Sequence, residues 1–169
     1  MHPTPTIRWE IANDVPEIRV VIHAAFGRTG EADLVDGLRR AGALTLSVVA
    51  LTSSRIVAHV AFSPVTISRQ RPALALAPVA VAPDCQRQGI GSSLVRWSLE
   101  QCRQLGHGLV IVLGGPAYYS RFGFAPASRF GIECPFSVPP EEFMGLELSP
   151  GAASGCRGMV CYRPEFDLV

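Results

Sequence analysis

Residues Gln86, Arg87, Gln88, Gly89, Ile90, Gly91 and Ser92 stand between an apolar run that reads as a strand, Leu74 to Val81, and a run with helical spacing, Gly89 to Leu105. Glycines separated by one residue let the backbone approach an anion with no Cβ in the way, and the N–H groups of a helix start can point at that anion. The helix end adds partial positive charge and Arg87 a full one, so the chemistry this stretch suits is phosphate binding. Its spacing is neither G-x-x-x-x-G-K-[ST] nor G-x-G-x-x-G, so a nucleoside triphosphate or a dinucleotide is not the obvious ligand. The plain alternative is a glycine-rich turn that does no more than enter a helix. Among the groups able to move protons, His59 lies on a strand face shared with Val57, Ala61 and Ser63, and an imidazole of pKa about 6.5 suits a base at neutral pH. A structural histidine satisfied by a neighbour is the competing reading. Glu31, at the start of a helix, is a second candidate, although a carboxylate there gains ~0.3 to 1 kcal/mol from the helix end alone. A covalent intermediate on Cys85 is disfavoured, since no histidine is near it in sequence.

These residues need a scaffold, and 169 residues suffice for one domain, residues 1–169, with a single core. A formal net charge of +1 with 17% charged residues gives no basic field of the kind that draws nucleic acid. Five cysteines without a C-x-x-C pair argue against a disulfide framework and against a thiolate metal site, and fit a reducing compartment. The first residues lack a secretion-signal pattern, and no apolar run approaches the ~18 residues that span a bilayer. The expectation is a cytoplasmic protein with no membrane and no nucleic-acid partner.

In chain order, Ile7 to Ile11 alternates as a short strand, and Asp14 caps a helix with Pro16 in its first turn and Ile18, Ile22, Ala25 and Phe26 on one face. A second helix, Glu31 to Ala41, carries Leu34, Val35 and Leu38 on a stripe. Leu44 to Leu51 and Ile56 to Val65 form a hairpin about the polar turn Thr52 to Arg55. Leu74 to Val81 follows, and its Pro78 marks a place where a strand breaks or leaves its neighbour. After the Gly89 to Leu105 helix, with Ile90, Leu94, Val95, Trp97, Cys102 and Leu105 on its inner side, come the strand Leu109 to Leu113 and a short helix, Ala117 to Phe122. Strand, helix, strand implies a parallel pair joined by a crossover. From Ala125 onward proline and glycine dominate, so two short strands and long loops are expected.

The loop Gln86 to Gly91 matches the Q/R-x-x-G-x-G/A pattern, and Tyr118-Tyr119-Ser120-Arg121-Phe122-Gly123-Phe124 resembles an aromatic-Tyr-x-x-x-Gly-Phe segment. In this order the two signatures resemble the GNAT superfamily of N-acetyltransferases. The segment Gly27 to Ala41, the phrase Ala58 to Val65 and the tail from Arg129 resemble its bacterial YhbS-like branch. The resemblance implies an α/β (α+β) fold: a mixed, mostly antiparallel sheet of six to seven strands with a central, splayed parallel pair and about four helices. It implies acetyl-CoA as co-substrate, no metal, and direct transfer to a primary amine of a small molecule or peptide that enters beside the first two helices and the C-terminal loops. Homodimers are common among relatives. Gln86 to Ser92 would hold the pyrophosphate. The free backbone groups of Val79, Ala80 and Val81 would pair with the pantetheine amides. Tyr119 would protonate the departing thiolate. Gly114, Tyr118 and Arg121 complete the set expected at the cofactor, with Tyr118 also read as packing on the core. The family's frequent carboxylate on the strand before the loop is missing, since Leu74 to Val81 holds no acid, and Gly115 stands where that branch commonly has one. A non-catalytic CoA sensor and transfer of a longer acyl chain are the alternatives.

Overall fold

The computed structural model describes residues 3–169. Contacts divide the described residues into two compact units, one reaching to residue 62 and including 78–98 and 165–169, the other of residues 63–77 and 99–164.

In the first unit, β1 (Thr6–Trp9), β2 (Leu46–Thr52) and β3 (Arg55–Ile67, its first part) pair antiparallel, with Ile7 opposite Ala50 and Val49 opposite His59. The β2–β3 turn uses Ser53 and Ser54, both left-handed at φ 50° and 66°, the sense of turn that matches strand twist. Helix α1 (Val15–Phe26) has Pro16 in its first turn and closes on Gly27, whose φ of 70° places its N–H 2.8 Å from the His23 carbonyl. Asp14 does not cap as expected: its carboxylate turns back to accept the Ile11 N–H at 2.8 Å and a two-pronged bond from Arg8. Ile18, Val21 and Ile22 of α1, with Ala32 and Val35 of α2 (Gly30–Arg40), cover Val49, Ile56, Ala61 and Ala80. Phe26, expected on the inner face, is 39% exposed because Val21 takes the inward position. Arg19 ties the helices together by bonding Asp33 and Asp36 at 2.7 Å each. All ion pairs of this kind are made by arginine, for the chain has 15 arginines and no lysine.

In the second unit, β4 (Arg71–Val81, its first part) lies parallel to β5 (Leu109–Leu113), joined by α3 (Ile90–Gln104). The parallel ladder is short: Leu74, Ala75 and Leu76 face Val110, Ile111 and Val112, after which β4 runs on through Pro78 to Val81. Proline has no N–H to offer a ladder, which accounts for the pairing ending just before it. Helix α4 (Pro116–Tyr119) follows, and β5 is then flanked antiparallel by β8 (Phe143–Glu147) and β8 by β6 (Ala125–Pro126). Strand β7 (Ile132–Glu133) pairs with β9 (Gly158–Cys161), which also pairs with the end of β3. Since β3 and β4 contribute to both units, the strand order reads β1-β2-β3-β4-β5-β8-β6.

The class expected, a mostly antiparallel mixed sheet with a parallel pair at its middle and four α-helices, is present among the described residues, but with nine strands rather than six or seven and a second parallel pairing, β7 with β9. The surplus lies after Ala125, where four short strands replace the expected two. Along α3, Ile90, Leu94, Val95, Leu99 and Cys102 are buried, while Leu105 lies beyond the helix end and is 56% exposed, against its expected inward place.

Candidate functional site

The segment before α3 is built to stand open. Gln86, Arg87, Gln88 and Gly89 are exposed, whereas Ile90 anchors the helix in the core. Arg87 at φ 61° and Gly89 at φ 82° both sit in the left-handed region, costly for arginine and free for glycine. A strained arginine in an exposed loop persists only where neighbours hold it, and here they do. Gln86 donates its side-chain amide to the Val81 carbonyl at 3.0 Å, Gln88 does the same to the Asp84 carbonyl at 3.2 Å, and the Cys85 N–H reaches the Ala82 carbonyl at 2.8 Å. Arg55 clamps Asp84 with bonds of 2.8 and 3.0 Å, holding that carboxyl below the usual carboxylate range. The first intrahelical bond runs from Ser93 N–H to the Gly89 carbonyl at 3.0 Å, so the helix start presents first-turn N–H groups that no helical carbonyl accepts. A Cβ built on Gly89 would meet nothing within 4 Å, leaving that approach clear. Burial, then the Asp84 charge, pushes the Cys85 thiol up, which leaves it a poor nucleophile.

In the second unit the aromatic signature folds into a hook. Gly115 accepts N–H bonds from both Tyr118 and Tyr119 at 3.1 Å, and Gly123, left-handed at φ 97°, ends the turn. The Tyr119 ring packs edge-on to Tyr118 at 5.0 Å and to Phe124 at 5.7 Å between centroids. Gly114 makes room for it, since a Cβ there would collide with the Tyr119 ring. Burial, with a small push from Tyr118, drives the Tyr119 phenol further above its ordinary value, so its proton stays on at any physiological pH. Arg121 stacks its guanidinium 4.7 Å above the Tyr118 ring.

His59 and Glu31 are placed apart in their bonding. The Glu31 carboxylate takes the Arg28 guanidinium, with Nε 3.0 and 3.1 Å from its oxygens. His59 is wholly buried, with Nε2 2.8 Å from Ser47 Oγ, and Ser47 in turn bonds Glu10. Glu10 is held in a two-pronged bond by Arg39, 2.9 Å on each arm. Burial pushes the Glu10 carboxyl up, but the Arg39 and Ser47 hydrogen bonds outweigh it and hold it low. Burial lowers His59 to about 4. Between pH 6.5 and 4 the unfolded chain therefore takes a proton at His59 that the folded chain refuses, so stability falls as pH falls. The loss expected from this residue between pH 7 and pH 5 is about 2 kcal/mol, read as a urea midpoint shift that His59→Gln should largely remove. Glu10, Ser47, Arg39, Arg55 and Asp84 carry none of the spacing that marked the loop and the hook. Only the geometry brings them in.

A profile for the acetyltransferase (GNAT) domain matches residues 7–127, and the chain belongs to this family. The uncharacterized N-acetyltransferase YhbS of Escherichia coli K12 is 35% identical over 163 residues, covering 95% of this chain and 98% of YhbS. A crystal structure of E. coli YhbS in complex with CoA superposes with a TM-score of 0.93 at 34% identity, covering 99% of this chain and 95% of that one. A GNAT acetyltransferase from Brucella melitensis in complex with acetyl-CoA gives a TM-score of 0.83 at 37% identity, over 98% and 100% of the chains.

Proposed function

We propose that the whole chain acts as one acetyl-CoA-dependent N-acetyltransferase that passes the acetyl group directly to a primary amine. The observation that carries this is the exposed, braced loop with Arg87 and Gly89 left-handed at the start of α3, in a chain of which relatives at 34% and 37% identity bind CoA and acetyl-CoA. In this reading the N–H groups of Gly89, Ile90 and Gly91 and the Arg87 charge receive the pyrophosphate, while Gln86 and Gln88 hold the loop in shape. Val79 offers backbone groups to the pantetheine amides, the Val81 carbonyl is already taken by Gln86, and the register set by the Ala82 N–H on the Val57 carbonyl turns the Ala80 N–H and carbonyl toward His59 of β3. The acceptor nitrogen attacks the thioester carbon, the C–N bond forms, the C–S bond breaks, and the leaving thiolate takes the Tyr119 proton. A neutral phenol beside a departing thiolate of conjugate pKa about 8.5 favours collapse toward product. Five free thiols suit action in a reducing, cytoplasmic setting.

The test is to incubate the protein with acetyl-CoA and a panel of small amines, amino acids and peptide N-termini, following thiol release and acetylated product by mass. Saturable, amine-dependent release is expected. Tight CoA binding with no amine consumed would replace the enzyme by a CoA-responsive module.

A further inference from the structure

A depression in the first unit plays no part in the proposed transfer. Trp9 and Glu10 where β1 ends, Arg39 and Gly42 where α2 ends, and Leu44, Thr45 and Ser47 about the start of β2 line an open space of about 290 Å³. Small-molecule sites begin near this size, and they share its make-up of apolar walls, here Trp9 and Leu44, with a few convergent polar groups.

Charge selects the kind of ligand. Arg39 bonds both Glu10 and Asp36, and Arg19 bonds both Asp36 and Asp33. Three carboxylates thus share two guanidiniums, which leaves one negative charge over. Arg40 acts on Asp33, at the opposite end of this network from the depression. Arg8, next to Trp9, is held by Asp14 and by the Trp9 carbonyl. Behind Ser47, His59 is neutral at pH 7, because burial lowers it to about 4. The end of α2 at Gly42 adds the partial negative charge of a helix C-terminus. An anion would therefore meet ionised Glu10 beside a guanidinium already divided between two carboxylates.

Glu10 also has an acceptor to spare. Its Oε2 takes bonds from both Arg39 and Ser47, whereas among the described residues Oε1 takes the Arg39 Nε–H alone, at 2.9 Å. A carboxylate oxygen has two lone pairs, so one on Oε1 is open to a further donor. The Thr45 hydroxyl supplies a second oxygen, and Trp9, 39% exposed, an indole of the kind that attracts cations. We propose that this depression binds a small primary ammonium ion with an apolar tail, its N–H groups on Glu10 Oε1 and the Thr45 hydroxyl and its tail against Trp9 and Leu44. The site is built from the first unit alone, and it needs nothing from the acetyl-transfer reading.

The probe is n-butylammonium chloride, titrated into the full chain at pH 7 without acetyl-CoA and followed by proton–nitrogen NMR. Sodium butyrate and n-butanol at matched ionic strength are the controls. The chain has two tryptophans, so Trp9→Ala identifies the Trp9 indole signal. Saturable shifts of that signal and of the Gly42, Leu44 and Thr45 amides are expected, with n-butanol bound about 10-fold more weakly and butyrate not saturating. Trp9→Ala should weaken n-butylammonium about 5-fold. Glu10→Gln should bind it no better than n-butanol. Should losing the Arg39 and Ser47 bonds unfold that variant, Thr45→Lys, which brings a tethered ammonium to the same carboxylate, should block the probe instead. Equal affinity for n-butylammonium and n-butanol in wild type, tighter binding of butyrate, or shifts confined to other acidic surfaces overturns the site. So does a Thr45→Lys protein that binds the probe as wild type does. A wild type that binds the probe yet transfers no acetyl group upholds this site and removes only the proposed activity.

Discussion

Replacing Tyr119 by phenylalanine is expected to lower turnover by about 10² to 10⁴ while CoA affinity holds. The substitution removes one oxygen and nothing else. The ring contacts with Tyr118 and Phe124 and the close approach to Gly114 remain, so the hook keeps its shape. What is lost is the hydroxyl that hydrogen-bonds the departing sulfur; burial raises the phenol and so keeps its proton on until that charge develops. Steady-state thiol release together with calorimetric CoA titration reads both quantities. Equal turnover in the two proteins would strip Tyr119 of its role.

Gly89→Glu should abolish CoA binding in a protein that still folds. A left-handed φ of 82° already disfavours any side chain, and a carboxylate placed at a helix start would occupy and repel the site proposed for the diphosphate. The space beside Gly89 is open, so the side chain meets no protein atom and the domain has no steric reason to unfold. Gly89→Ala separates the two causes, since it keeps the backbone strain of roughly 1 to 2 kcal/mol without the charge. A modest loss in alanine and no measurable heat in glutamate is the expected pair. Normal affinity in Gly89→Glu would remove the cradle.

The elements that carry these effects were readable because each has a local cause. Leu109–Leu113 is apolar throughout, as a strand covered on both faces must be, and its bounds agree with the reading. Helix α1 stops at Gly27 for the reason glycine stops helices. Strand β4 begins at Arg71, earlier than read, because Pro72 looks like a breaker in sequence although a strand tolerates it near its first residue. Strands of two residues, such as Ala125–Pro126 and Ile132–Glu133, are too short to show any period and exist only through their partners. The same limit hid the polar cluster. His59 could be marked as a base by its type, but Glu10 and Ser47 lie 37 residues apart and meet only when β1 and β2 pair.

The arginine-only ion pairs have a chemical corollary. A thioester acylates amines, and a guanidinium, protonated at all ordinary pH values, is no nucleophile toward it. With 15 arginines and no lysine, the chain has no side-chain amine for its own donor to modify. Every clamp described above, from Arg19 across the helices to Arg55 under the loop, keeps its charge however long the protein sits beside a pool of reactive acyl groups.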